Sequence, residues 1–246
     1  MAGKGLAHYT FEPKLLNGKL EWVPGVAKSG DAKVLRPIGE PFAPDGGLRL
    51  MQGCLGRGVI KISAVAPEHR KVVASAIVFE SQEAVQAAFG AGELSRDFVA
   101  VVRFQGARAN GMPELHCLTP LFSVLQDQGF HVALVTDGRM SGASGKVPAV
   151  IHVSPEALLD GPLAKVRSGD TIVIDAQAGV LDVDIDANEW LARELARPTH
   201  QVDNEVGLGR ELFGVFRAAA MPAEVGASVF GALVGETTYV DASVAH

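Results

Sequence analysis

Five side chains able to take part in chemistry, Asp137, Arg139, Ser141, Ser144 and Lys146, fall within one ten-residue stretch and are separated by Gly138, Gly142 and Gly145. Cations and hydroxyls interleaved with glycine suit a hydroxylated anion. The glycines admit positive φ and let backbone approach a ligand, while the charged donors can hold a carboxylate or phosphate. A Gly/Ser-rich loop between strands is more often a plain turn. Here the apolar run VALV (132–135) brings the chain in and VPAVIHV (147–153) takes it away, and charged groups set against buried strands are costly without a use. Two phosphate motifs are excluded. A Walker A loop ending at Gly145-Lys146 would need Gly at Met140 and Ser or Thr at Val147, and the dinucleotide fingerprint fails at Gly207-Leu-Gly209, where Leu212 replaces the third glycine.

A second polar loop, QGARANGMPELH (105–116), follows another apolar run. On residue types alone, Pro113 and Glu114 read as the first turn of a helix reaching about Gln128, where an acid complements the helix dipole. His116 and His152 flank the two loops, and a lone histidine beside an apolar strand is more often an edge or core residue than a ligand. Arg57, Lys61 and Arg103 are candidates to receive a phosphate, with solvated surface positions as the plainer reading.

These loops need a scaffold of strands. The pattern predicts a short hairpin around Asn17-Gly18 and an extended Gly/Pro-rich connector over residues 1–47, followed by a domain over residues 48–246. Strands are expected at about 58–65, 72–79 and 98–104, with a helix capped by Ser81. Ser154-Pro155-Glu156 reads as a helix start. Residues 171–185 alternate on either side of Ala178-Gly179 as a β-hairpin, and helices are expected at 187–197 and 210–219. Strands outnumber helices, which gives a mixed, β-rich α/β class: a barrel-like sheet with helices packed outside it.

With 48% hydrophobic and 20% charged residues the 246-residue chain can bury a real core, and its net charge of −6 argues against a general nucleic-acid binder. Cys54 and Cys117, its only cysteines, are too few for a disulfide scaffold or a self-contained zinc or iron–sulfur site. No apolar run approaches a signal-peptide core or a membrane span, so the expectation is a soluble, cytoplasmic protein.

The stretches TDGRMSGASGKVPAVIHVSPEA (136–157), FQGARANGMPELH (104–116) and GGLRLMQGCLGRGVIK (46–61) resemble, in that order, the carboxy-terminal part of the dihydroxy-acid dehydratase/phosphogluconate dehydratase family. The resemblance runs from about residue 6 to about residue 227. It implies a swivelling β/β/α domain and a hydro-lyase that removes water from a sugar acid such as 6-phosphogluconate. It also implies a 4Fe-4S cluster and Mg2+, with the cluster cysteines in an amino-terminal domain outside this chain, and a homodimer for the complete enzyme. By the same resemblance Glu114 would be a ligand of the divalent metal and Ser141 the catalytic base. Arg139, Ser144 and Lys146 would contact the substrate carboxylate or phosphate. Cys54 stands where the family commonly has Asn. The chain alone is expected to be catalytically silent. The competing reading is a sugar-acid or phosphate-binding module without chemistry, or a dehydratase of another sugar acid or dihydroxy acid.

Overall fold

The computed structural model describes residues 10–26, 28–43, 46–141, 145–199, 206–207 and 209–231. The chain divides into two units, residues 1–46 and 47–246.

In the first unit, β1 (Phe11–Leu16) and β2 (Lys19–Pro24) pair antiparallel. Asn17 and Gly18 have φ of 51° and 77°, the double positive-φ geometry that an Asn-Gly hairpin turn favours. None of this unit's described residues is buried.

The second unit is built on a closed eight-stranded barrel. In chain order its elements are β3 (Leu48–Gly53), β4 (Gly56–Lys61), β5 (Lys71–Phe79), α1 (Gln82–Gly90), β6 (Phe98–Val102), α2 (Ala107–Asn110), α3 (Leu118–Asp127), β7 (Val132–Thr136), β8 (Ala149–Ser154), β9 (Thr171–Asp175), β10 (Val180–Asp184), α4 (Ala187–Ala192) and α5 (Arg210–Ala219). Around the barrel the order is β10-β3-β4-β8-β7-β6-β5-β9. Neighbours β5, β6, β7 and β8 run parallel, so the carboxyl ends of β6, β7 and β8 open at one end. In parallel sheets that is the end where ligands bind.

Two apolar layers account for the strand sequences. Inward residues such as Val99, Val101, Ala133, Val135, Ile172, Ile174 and Leu181 fill the barrel. The opposite faces of β6 and β7, with Phe98, Ala100, Val102, Val132 and Leu134, are covered by Val85 of α1 and by Leu118, Phe122 and Leu125 of α3. Phe98 and Phe122 meet edge to face at 5.8 Å. Strands buried on both faces need continuous apolar sequence, which FVAVV and VALVT supply.

The barrel-like sheet with outer helices agrees with the sequence expectation. Local readings differ in four places, one being that α4 ends at Ala192 and does not reach the expected 197. β3 and β4 form a hairpin about Cys54-Leu55, so the expected 58–65 strand starts and ends earlier. Helix α3 begins at Leu118, and Glu114 lies before it in an isolated bridge to Arg139, so it does not cap that helix. Ser154-Pro155-Glu156 opens only a single 3-10 turn, Ala157–Leu159, and the Glu156 side chain leaves it for α2. Among the described residues no helix is long and apolar enough to cross a membrane.

Candidate active site

Three loops leave the carboxyl ends of β6, β7 and β8, and buried carboxylates tie them together. Asp137, the first residue after β7, is 1% exposed. Its Oδ1 accepts the Gln105 N–H at 2.9 Å, and its Oδ2 accepts those of Phe104 at 3.2 Å and Ala157 at 2.9 Å. Those donors lie just beyond β6 and β8. Burial pushes the Asp137 carboxyl up to about 6; the backbone donors oppose this, and the nearby Glu156 charge adds to it. Glu156 takes the Arg108 N–H on both oxygens at 3.2 Å and that of Ala109 at 3.3 Å. Its carboxyl is raised, chiefly by burial. Gln105 completes the knot: its amide nitrogen donates to the Glu80 carbonyl at 2.6 Å, and its amide oxygen accepts from Asn110 Nδ2 at 3.2 Å.

Above this floor the two polar loops meet. Glu114 bridges to Arg139, with the Leu115 N–H on the Arg139 carbonyl at 3.1 Å. Glu114 Oε1 accepts the Ser141 N–H at 2.5 Å. Arg139 turns back across the other loop, its Nε on the Met112 carbonyl at 2.8 Å and its Nη1 3.9 Å from Glu114 Oε2. Glu114 and Arg139 side chains are 30% and 53% exposed, so the carboxylate and guanidinium can still reach a ligand.

Glu114, Arg139 and Ser141, singled out in the sequence, are therefore neighbours. Lys146 points elsewhere: its ammonium pairs with Asp127 at the end of α3, at 2.6 Å, with both side chains exposed. Ser144 lies outside the described residues. His152 occupies a bulge: between the pairs Val59–Ile151 and Arg57–Ser154, two residues of β8 lie opposite one of β4. It has φ of 56°, donates its N–H to the Gly138 carbonyl at 2.9 Å, and its imidazole pKa is lowered by burial and then by Arg139. Arg103 is structural, bonding Glu80 and the carbonyls of Ala164 and Val166. Arg57 pairs with Glu224 at 3.4 Å.

The sequence reading missed the roles of Glu156 and Gln105. A signal existed: an acid directly after Ser-Pro at the end of a buried run has little reason to be there unless backbone donors await it.

The described side chains do not fit an iron–sulfur cluster. No group of three or more His, Cys, Asp or Glu among them could hold a metal. Cys54 is exposed as a residue, but partial desolvation pushes its thiol up to about 11, and its sulfur accepts the Val183 N–H at 3.3 Å, which is a structural role. Cys117 lies beside His116 at 3.6 Å. Glu114 fits as one oxygen ligand of a hard divalent cation and no more.

A family model described as dihydroxy-acid/6-phosphogluconate dehydratase C-terminal matches residues 33–227. A phosphogluconate dehydratase of Pseudomonas aeruginosa is 60% identical over 230 residues, covering 94% of this chain and 38% of that protein. One from Zymomonas mobilis is 52% identical over 229 residues, covering 92% and 37%. A dihydroxy-acid dehydratase of Nitratidesulfovibrio vulgaris is 41% identical over 174 residues, covering 69% and 31%. The chain thus spans about 38% of the length of the phosphogluconate dehydratases it matches.

Proposed function

The chain belongs to the dihydroxy-acid/6-phosphogluconate dehydratase family, matching its carboxy-terminal domain, and from that premise we propose that it is one half of a phosphogluconate dehydratase site. The reaction removes the C2 proton and the C3 hydroxyl of 6-phospho-D-gluconate as water. The enol that remains becomes 2-dehydro-3-deoxy-6-phosphogluconate by proton transfer to C3. The observation that carries the proposal is the 2.5 Å contact between Glu114 Oε1 and the Ser141 N–H, which joins the two loops bearing the family's motifs.

In this reading Ser141 Oγ, as the alkoxide, takes the C2 proton to become the hydroxyl, and that proton leaves with the C3 hydroxyl as water. A serine hydroxyl is a base only in a strong positive field, to which Arg139 contributes from two residues away. Arg139 is held by Met112 and Glu114, so its charge is placed and not merely tethered. Glu114 would offer one oxygen to a divalent cation, and such a cation, when bound, draws charge from the substrate carboxylate and acidifies C2–H. The remaining ligands and the cluster cysteines would come from the part of the relatives that this chain does not span, so the chain by itself would be inactive.

The test supplies an amino-terminal part, reconstituted anaerobically, from the Pseudomonas aeruginosa relative. Formation of the 2-oxo-3-deoxy acid is then followed from 6-phosphogluconate, gluconate and a 2,3-dihydroxy acid. Product from 6-phosphogluconate only in the mixture is expected. Binding of 6-phosphogluconate with no product in any mixture would instead favour a non-catalytic sugar-acid module, and preference for another substrate would reassign the specificity.

A further inference from the structure

We propose that Asp137 and Glu156 are a positioning pair whose buried carboxylates, on the loops after β7 and β8, both clamp the loop after β6 and so set the contact between Glu114 and Ser141. This deepens the reading of Glu114 and Ser141 as working residues.

Between them the two carboxylates take up the backbone N–H groups of Phe104, Gln105, Arg108, Ala109 and Ala157. Four of those donors lie on the segment that leads to Glu114, and Asp137 itself lies four residues before Ser141. A shift of either carboxylate moves one loop against the other.

Burial alone would not select these groups. Buried carboxylates are costly, and among the described residues neither forms an ion pair; the nearest cationic influence on Glu156 is Arg108, whose Nε is committed to the Ala220 carbonyl at 2.7 Å. An apolar floor would leave these five backbone donors unpaired, whereas carboxylates can hold several of them in fixed directions. The surrounding packing is cut to fit them. A Cβ on Gly106 would stand 2.0 Å from Glu156 Oε2, and one on Gly138 would stand 2.6 Å from Gln105 Cβ, so both loops need glycine where they approach the clamp. Phe104 accepts a φ of 61° to present its N–H to Asp137.

The test is amide hydrogen exchange on the 246-residue chain, as wild type, Asp137→Asn, Glu156→Gln and Gly106→Ala. In Asp137→Asn, exchange at Gln105 and Ala157, and with them at Ser141, is expected to quicken at least 10-fold. Ile172, Ile174 and Leu181 in the β9–β10 hairpin should keep their protection. Gly106→Ala keeps both charges and pushes Glu156 aside, so it carries the test if Asp137→Asn does not fold; there Arg108, Ala109 and Ser141 should quicken. Uniform acceleration through the hairpin, or Ser141 protection unchanged while Gln105 loses its own, overturns the proposal. In the completed enzyme Glu156→Gln should lower kcat about 10-fold with KM within about 3-fold. The exchange result stands whether or not the completed enzyme dehydrates 6-phosphogluconate, so failure of the clamp and failure of the proposed activity are separable.

Discussion

Strands β6 and β7 bury all five of their residues, whereas β9 and β10 bury only alternate ones and are joined by the short turn at residues 176–179. Both pairs end in an aspartate used by backbone donors. Asp137 after β7 is buried and holds three N–H groups from two other loops; Asp175 at the end of β9 is partly exposed and holds Gln177 and Ala178 of its own turn, with Lys71 beside it. The same side chain thus closes a local turn in one half of the barrel and joins distant segments in the other. Three of the six positive-φ non-glycine residues among the described ones, Phe104, Met112 and His152, lie in or beside the polar loops, and Asn17, Asp160 and Ala227 lie elsewhere. Buried charge, as Asp137 and Glu156, gathers where the motif-bearing loops are held together.

The largest effect that would sharpen this contrast is on activity. Glu114→Gln in the completed enzyme should lower kcat about 100-fold, about 2.7 kcal/mol of barrier, while leaving the unfolding midpoint of the chain within experimental scatter. Next comes stability. Asp137→Ala orphans three backbone donors and should cost about 3 kcal/mol by denaturant unfolding, against about 1 kcal/mol for Asp175→Ala; equal costs would erase the distinction between the two halves.

The pH dependence separates the same two aspartates. Asp137's carboxyl is raised to about 6 from the ordinary aspartate value of 3.8, so between those limits the folded state binds the extra proton. Its stabilising contribution is complete below about 4 and is lost as pH rises through 6, a change of about 3 kcal/mol that Asp137→Asn should abolish. Asp175 is lowered by its turn N–H donors, and Asp170 by Arg193 despite its burial, so their contributions run the other way and are lost as pH falls. The smallest effect belongs to the exposed Lys146–Asp127 pair: Lys146→Ala should change unfolding free energy by less than about 1 kcal/mol.

Much of the barrel was legible in the sequence because its code is local. Alternation in 171–185, continuous apolar runs in β6 and β7, Asn17-Gly18 and the Ser81 cap each announce themselves within a few residues. The Ser81 hydroxyl accepts the Ala84 N–H at 3.1 Å, as a cap should. The floor of the site is a different kind of fact. Glu156 reads as a helix-start acid until Arg108, 48 residues earlier, is brought to it. Glu114 reads as a capping acid until the parallel order of β6 and β7 places it beside Ser141. Periodicity carries no information on such contacts, and the resemblance pointed to Glu114 and Ser141 without indicating what holds them together.

Ser141→Ala in the completed enzyme tests the account most directly. With substrate supplied as 6-phosphogluconate, the account predicts at least a 100-fold fall in kcat, with the unfolding midpoint unchanged and KM within about 3-fold. Retention of full activity by Ser141→Ala would contradict it and move the base to another residue.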